Sequence, residues 1–355
     1  MHQSGKKAKK FINETTSFLS SLFSISLNEF DLIYHSGASE GINSIFKGLA
    51  FRAFSEKRKI CFYFSHIDHA CVFNLKADLE ILGHVVKYFP VDSLGQFNLK
   101  DLVEDMLISK DQGYCLALNY TYINNETGVC WPLNWACEIK KATGSFVHVD
   151  AVQLVGKIHD WKSLESSLDS YTFSGHKFGS LKGVGFSFIK SNAQISPLIV
   201  GGNQQQGYRA GTENSLGIYS LKLALEDFID NFDASELKLA KEAIEKKLVN
   251  LLGNKGRIIA AENKLRNLNT IFFLIYGKKA ESLSAHFDLN FIDVSTGSAC
   301  ASGVIKENRV LMSMGFSSDD SRSAIRLSFS PFMNRETAEI NFQKIETVLS
   351  GILKS

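Results

Sequence analysis

The chain has 355 residues, 45% of them hydrophobic and 21% charged, and 39 basic against 37 acidic side chains leave a formal net charge of +2. This is ordinary globular composition with room for two domains and a sizeable core, which argues against disorder and against membrane spanning. The near-balance of charge gives no electrostatic ground for direct nucleic-acid or membrane binding, so the expected partner is a small molecule or another protein.

The chain opens with Lys6, Lys7, Lys9 and Lys10, but Asn13, Glu14, Thr15 and Thr16 interrupt any signal-peptide core. Phe11, Ile12, Phe18, Leu19, Leu22 and Phe23 fall at helical spacing instead, which predicts an amphipathic helix within residues 1–29. From Phe30 to Lys190 seven β-rich runs follow: DLIYHS, KICFYFS, HVVKYFP, CLALNYTY, SFVHVDA, DSYTFS and VGFSFIK. Helical patterns such as EGINSIFKGLAFRAF and LNWACEIKKATG separate most of them. The fold class is therefore α/β, a mostly parallel seven-stranded sheet with helices on both faces, occupying residues 30–214. At Ser215 the pattern changes to one long helical stretch reaching Leu252, then to sparse strands (NTIFFLIY, AIRLSFS) among helices. Residues 215–355 are thus expected to form a bridging helix and a smaller α+β domain. The six cysteines are scattered and contain no CxxC pair, which fits a reducing, cytoplasmic setting.

Parallel sheets bind ligands at the carboxyl ends of their strands, so the strand ends carry the search for chemistry. DSYTFS ends in Ser174, Gly175, His176 and Lys177. A lysine held there among apolar neighbours would have a depressed pKa and could act as a nucleophilic amine or proton carrier, although a lysine at a strand end is more often structural. SFVHVDA delivers Asp150, with Gln153 in the following turn. The carboxylate is either a helix cap or salt-bridge partner, or the counter-ion of a protonated heteroaromatic nitrogen. DLIYHS runs into Gly37, Ala38, Ser39 and Glu40 at a helix start, an anion site or a plain cap. His66 and His69 have metal-like spacing without further ligands, so no metal is expected, and His69 reads either as a ring stacked on a flat cofactor or as a structural histidine. Asn124 and Asn125 mark another strand end, where a turn would also want asparagine. Cys300 lies in a run of small residues, wrong for a core strand and suited to a reactive thiol, and Arg326 lies inside an apolar strand, either salt-bridged or awaiting a carboxylate.

Together SGASE, DHACV, NNETGV, HVDAVQLVGK, FSGHKFGSLKGVG, GGNQQQGYRAGTEN, STGSACASG and AIRLSFS resemble, in order, the class V aminotransferases of the fold-type I pyridoxal-phosphate enzymes. The closest resemblance is to the cysteine desulfurases with a mobile cysteine loop of the SGSAC type. It implies pyridoxal 5'-phosphate as cofactor, bound covalently by Lys177, which also moves the substrate Cα proton. It further implies Asp150 at the pyridine nitrogen, Gln153 at the phenolic oxygen and His69 stacked on the ring. Ala38, Ser39, Ser174 and His176 match the phosphate site, joined by Thr212 from the second subunit of a homodimer. Asn125 and Arg326 match the substrate-carboxylate clamp and Cys300 the nucleophile. The implied reaction converts L-cysteine to L-alanine and leaves a persulfide on Cys300, whose sulfur goes to an acceptor protein of iron–sulfur cluster assembly or tRNA thiolation.

Three departures accompany the resemblance. The family pattern starts with a further segment carrying an Asp-x-Asn-Ala-Thr-Thr motif, for which this sequence shows no counterpart. Ser39 stands where threonine is usual, and Gln206 where an arginine is usual, with Arg209 retained. Competing readings are another class V enzyme, an aminotransferase or selenocysteine lyase, or a truncated, weakly active homologue that binds the cofactor. A transaminase has no need of Cys300, which favours desulfuration.

Overall fold

The structure is a computed structural model in which residues 2–297 and 307–354 are described. Seven strands, β1 (Phe30–His35), β2 (Ile60–Ser65), β3 (Val85–Phe89), β4 (Cys115–Thr121), β5 (Phe146–Asp150), β6 (Ser170–Ser174) and β7 (Gly185–Lys190), form one sheet in the order β1-β7-β6-β5-β4-β2-β3. All neighbours pair in parallel except β7, which runs antiparallel to β1 and β6. Every residue of β2 and of β6 is buried, as expected for strands covered on both faces by helices. The register sets Thr121 opposite Asp150 and Asp150 opposite Thr172, so the carboxyl ends of the central strands form one polar rim.

The helix Gln3–Leu22 lies outside this sheet and brings its apolar stripe to it. Leu19 and Phe23 are fully buried, and the Phe23 ring sits 4.9 Å from Phe173, which in turn stacks on Phe186 at 4.6 Å. Each such aromatic burial contributes roughly 1.5–3 kcal/mol, enough to hold a surface helix whose other face is lysine-rich.

The predicted single helix reaching Leu252 is two helices, Ser215–Asn231 and Ala234–Leu252. Phe232 is extended, and Asp233 caps the second helix by accepting from Ser235 and Glu236 N–H at 2.8 and 3.0 Å. The apolar periodicity runs through both, so only the cap marks the break. Ile218, Leu221, Leu225 and Phe228 of the first helix belong to the core of the large sheet. Leu237, Ile244 and Leu248 of the second pack with a four-stranded sheet of order β10-β11-β9-β8, made of β8 (Gly256–Ile258), β9 (Thr270–Ile275), β10 (Ser295–Thr296) and β11 (Ala324–Ser328). β8 and β10 were absent from the sequence reading, being too short to show a period. Among the described residues no helix is long and apolar enough to cross a membrane.

Candidate active site

A cavity of about 950 Å³ opens at the carboxyl rim of the large sheet, closed on its far side by Arg326 and Ser328 of β11. Ala38, Ser39, His69, Asn125, Asp150, Gln153, Ser174, His176, Lys177 and Arg326 all line it. Ten candidates drawn from six separate stretches of sequence therefore meet in one space.

One end is an anion cup. The helix Ala38–Ser55 begins at the rim with no side-chain cap, and its first internal bond is Gly41 N–H to the Gly37 carbonyl. The N–H groups of Ala38 and Ser39 are thus left for a ligand, with the helix dipole behind them. Ser174 Oγ, 3.1 Å from His176 Nδ1, faces the same space. Burial, then the neighbouring Lys177, Lys182 and Lys157, hold the His176 imidazole below its ordinary range. Glu40 braces the cup. Burial pushes its carboxyl up, but bonds from Arg209 Nε at 2.8 Å and Ser36 N–H at 2.9 Å outweigh this and hold it at about 2. Arg209 is therefore engaged by Glu40. Gln205 takes Tyr34 N–H at 2.8 Å and Gln204 takes Gly211 N–H at 3.2 Å, fixing the 204–211 loop without an arginine at 206.

At the floor, Asp150 is buried and has one donor among the described residues, Val152 N–H at 3.1 Å. No lysine, arginine or histidine forms a salt bridge with it among the described residues. Burial pushes its carboxyl up to about 6. Two strands away Asp68 is also buried and raised, to about 7, mainly by burial, yet it accepts from Thr121 Oγ1 at 2.6 Å and Ser65 N–H at 2.9 Å. Asp68 is satisfied by the protein; Asp150 lacks a cation. A protonated heteroaromatic nitrogen is the group that would complete it.

Lys177 sits on the one-turn 3₁₀ helix Gly175–Phe178 directly after β6. Burial, then the Arg326 guanidinium, lower its pKa, which favours the neutral amine. His69 is held as the cap of the short helix Ala70–Phe73, its Nδ1 accepting Cys71 N–H at 3.2 Å, while burial, Lys177 and Arg309 lower its pKa. His66 turns to the Phe89 carbonyl at 3.2 Å instead.

At the opposite end Arg326 donates from Nη1 to the Asn125 carbonyl at 2.7 Å, and its buried Nε has no partner. An orphaned guanidinium N–H in a cavity fits a carboxylate ligand. Asn124 shapes this loop by accepting from Glu126 and Thr127 N–H at 3.0 and 2.9 Å and donating to the Ile67 carbonyl at 2.9 Å, which leaves Asn125 to line the cavity. Gly128 completes the turn at φ +73°, where a Cβ would fall 2.6 Å from Asn267.

Two candidates stand apart. Thr212 is exposed and does not line the cavity. Cys300 lies outside the described residues; before that stretch Ser295 of β10 pairs opposite Arg326, which lines the cavity, and after it Asn308 donates to Glu126, the neighbour of Asn125, at 2.6 Å. Arg309 donates to the His66 and Asp68 carbonyls and lies 4.1 Å over the Phe73 ring. Lys157, Cys71 and Thr121 also line the cavity and were missed. Lys157 had a signal, four residues after Gln153 in the motif HVDAVQLVGK; Thr121 and Cys71 had none beyond neighbouring a strand end.

The donor set fits pyridoxal phosphate: a dianion cup, a buried unpaired carboxylate and a lysine with depressed basicity, arranged around one space. The family described as aminotransferase class-V matches residues 1–340. Cysteine desulfurase 2 of Trichormus variabilis is 32% identical over 355 residues, covering 100% of this chain and 85% of that protein. A solved NifS-like protein superposes with a TM-score of 0.84 at 30% identity, over 99% of this chain and 90% of that one. A solved structure described as SspA in complex with cysteine has a TM-score of 0.77 at 25% identity, covering 94% and 90%. With the match running through nearly every element that builds the cavity, the chain belongs to the class-V aminotransferase family.

Proposed function

We propose that the protein is a pyridoxal-phosphate-dependent cysteine desulfurase, converting L-cysteine to L-alanine with Cys300 as sulfur acceptor. The observation that carries this reading is the meeting of Lys177, the unpaired Asp150 carboxylate and the orphaned Arg326 Nε in one cavity, on a chain whose relatives are named for that activity. Bound through its aldehyde to Lys177, pyridoxal phosphate supplies an electron sink for a carbanion at the substrate Cα. The rest is done by side chains. The cup of Ala38, Ser39, Ser174 and His176 would hold the phosphate, Asp150 would pair with the ring nitrogen, Gln153 would meet the phenolic oxygen and His69 would cover the ring. Arg326 and Asn125 hold the substrate carboxylate, which directs Cα toward Lys177. Lys177, as neutral amine, takes the Cα proton. The Cys300 thiolate then attacks the substrate Sγ: an S–S bond forms, the Cβ–Sγ bond breaks, Cβ gains a proton and Lys177 returns one to Cα, leaving alanine and a persulfide on Cys300.

The persulfide sulfur passes to an acceptor protein of iron–sulfur cluster assembly or tRNA thiolation, in the cytoplasm. The protein works as a homodimer in which Thr212 joins the phosphate cup of the other subunit. The exposed Val200 and Leu216 on either side of the Thr212 loop, with Leu181 tied to the same helix through Ser220, support an apolar contact face there. Residues 30–214 and 215–355 act as the large and small domains, with the helix Ser215–Asn231 fixed to the former.

Alanine release from L-cysteine by the cofactor-loaded protein under reducing thiol tests the reading beside Cys300→Ala. Alanine from the parent and none from the variant, with the cofactor's visible band intact in both, is the expected result. A visible band in both and alanine from neither would sink desulfuration and favour another amino-acid substrate.

A further inference from the structure

Behind the groups that face the cofactor, the Lys157 amino group donates to Gln153 Oε1. The two residues lie four apart on the turn after β5, and both line the cavity. Their backbone is fixed from two directions, the Lys157 carbonyl accepting Leu268 N–H at 2.7 Å and the Lys157 N–H donating to the Leu154 carbonyl at 3.3 Å. Gly156 sets the turn at φ +65°, and a Cβ there would fall 1.9 Å from the Phe228 ring. The Lys157 stem therefore starts from one defined place.

A primary amide offers an acceptor and a donor that exchange places on a half rotation. With Oε1 occupied by the Lys157 Nζ–H, Nε2 is the end left for the cavity, and no protein acceptor takes it among the described residues. We infer that Lys157 is a positioning residue that locks the Gln153 amide with its NH₂ toward the phenolic oxygen of the cofactor, making Gln153 a hydrogen-bond donor there. The inference rests on the reading of Gln153 given above. It has a spectroscopic consequence. A donor at the phenolic oxygen stabilises its anionic form, which then holds its shared proton less tightly and lowers the pH midpoint of the cofactor's visible band.

The test is that midpoint in the cofactor-loaded protein, compared with Lys157→Met, Gln153→Ala and the double variant. Each single change is expected to raise the midpoint by about one pH unit, and the double variant by no more than Gln153→Ala alone. If Gln153→Ala leaves the midpoint in place, Gln153 does not face the phenolic oxygen and the underlying reading fails. If Gln153→Ala moves it and Lys157→Met does not, the positioning role is overturned. A Lys157→Met shift that persists in the Gln153→Ala background also overturns it, because Lys157 would then act through its own charge. Should Lys157→Met not retain cofactor, Lys157→Arg keeps a donor for Oε1 and must hold the parent midpoint; a raised midpoint in that variant refutes the inference.

Discussion

Two clusters of charge, one behind the small sheet and one around the cavity, are built in opposite ways. Behind the small sheet, Glu245 receives Arg266 in a two-pronged bond at 2.6 and 2.9 Å and Lys241 at 3.5 Å, while Lys241 also donates to the Asn267 carbonyl at 2.7 Å. Every charge there has its complement. At the rim of the large sheet, among the described residues, Asp150 has no cation and Arg326 has an unused Nε, while Lys177 and Lys157 are both held below the usual lysine range, Lys157 at about 7, by burial first. The first cluster is finished by folding; the second is finished only by ligands. Buried charge alone does not mark a site, whereas buried charge with unfilled bonds does.

The sharpest way to break this contrast is at Lys177. Lys177→Ala removes both the amine that binds the cofactor and the base at Cα, so alanine formation is expected to fall by about 10³-fold or more and the visible band to vanish, with thermal stability of the cofactor-free chain unchanged. Glu245→Ala makes the reverse statement. It leaves two largely buried cations without a counter-charge, and the expected loss is about 3–5 kcal/mol in urea unfolding, with the band of the surviving folded protein in its normal position. If Glu245→Ala shifted the band, the two clusters would be coupled and the contrast would fail.

Asp150→Asn tests the cost of an unfinished site. The Asp150 carboxyl is raised in the folded state from 3.8 to about 6, so folding favours its neutral form. Its contribution to stability is therefore fully present below about pH 4 and lost as pH rises through about 6. The cofactor-free Asn variant should accordingly be more stable than the cofactor-free parent at pH 8, by roughly 2–3 kcal/mol, and indistinguishable from it near pH 4. The same variant should be slower in turnover by about 10²-fold, since the ring nitrogen loses its counter-ion. Calorimetry across that pH range decides it: equal stability at both ends would mean that Asp150 carries no desolvation cost.

These contrasts also explain what the sequence disclosed. Strand ends were legible because β2, β4, β5 and β6 are apolar runs that stop abruptly at Ser65, Thr121, Asp150 and Ser174, and a polar residue at that point has to face the rim. The resemblance assigned roles to ten of the lining residues that the runs alone left open. Lys157 escaped because a lysine after Gly156 reads as a surface turn, and the Leu268 N–H that fixes its backbone comes from a distant part of the chain. Asp68 escaped for a related reason: its partner Thr121 is 53 positions away, and long-range pairing leaves no periodic trace. The break at Phe232 and Asp233 was hidden because both flanking helices present apolar stripes, though to different cores.

The smallest expected effect is the cleanest control. On the helix Ala234–Leu252, Lys238 pairs with Glu242 at 3.9 Å, with the same i, i+4 spacing as Lys241 with Glu245 less than one turn along. The two pairs differ in burial: the Lys238 and Glu242 side chains are 63% and 57% exposed, those of Lys241 and Glu245 6% and 16%. Helix propensity, dipole and spacing are nearly the same for both, so the difference between their variants isolates desolvation. Lys238→Ala should change stability by less than about 0.5 kcal/mol, and raised salt should erase even that. Lys241→Ala strips one of two cations from a largely buried carboxylate and should cost several times more, with little response to salt. Equal costs for the two would mean that water screens Glu245 as fully as it screens Glu242, and the distinction between a finished and an unfinished charge cluster would lose its physical basis.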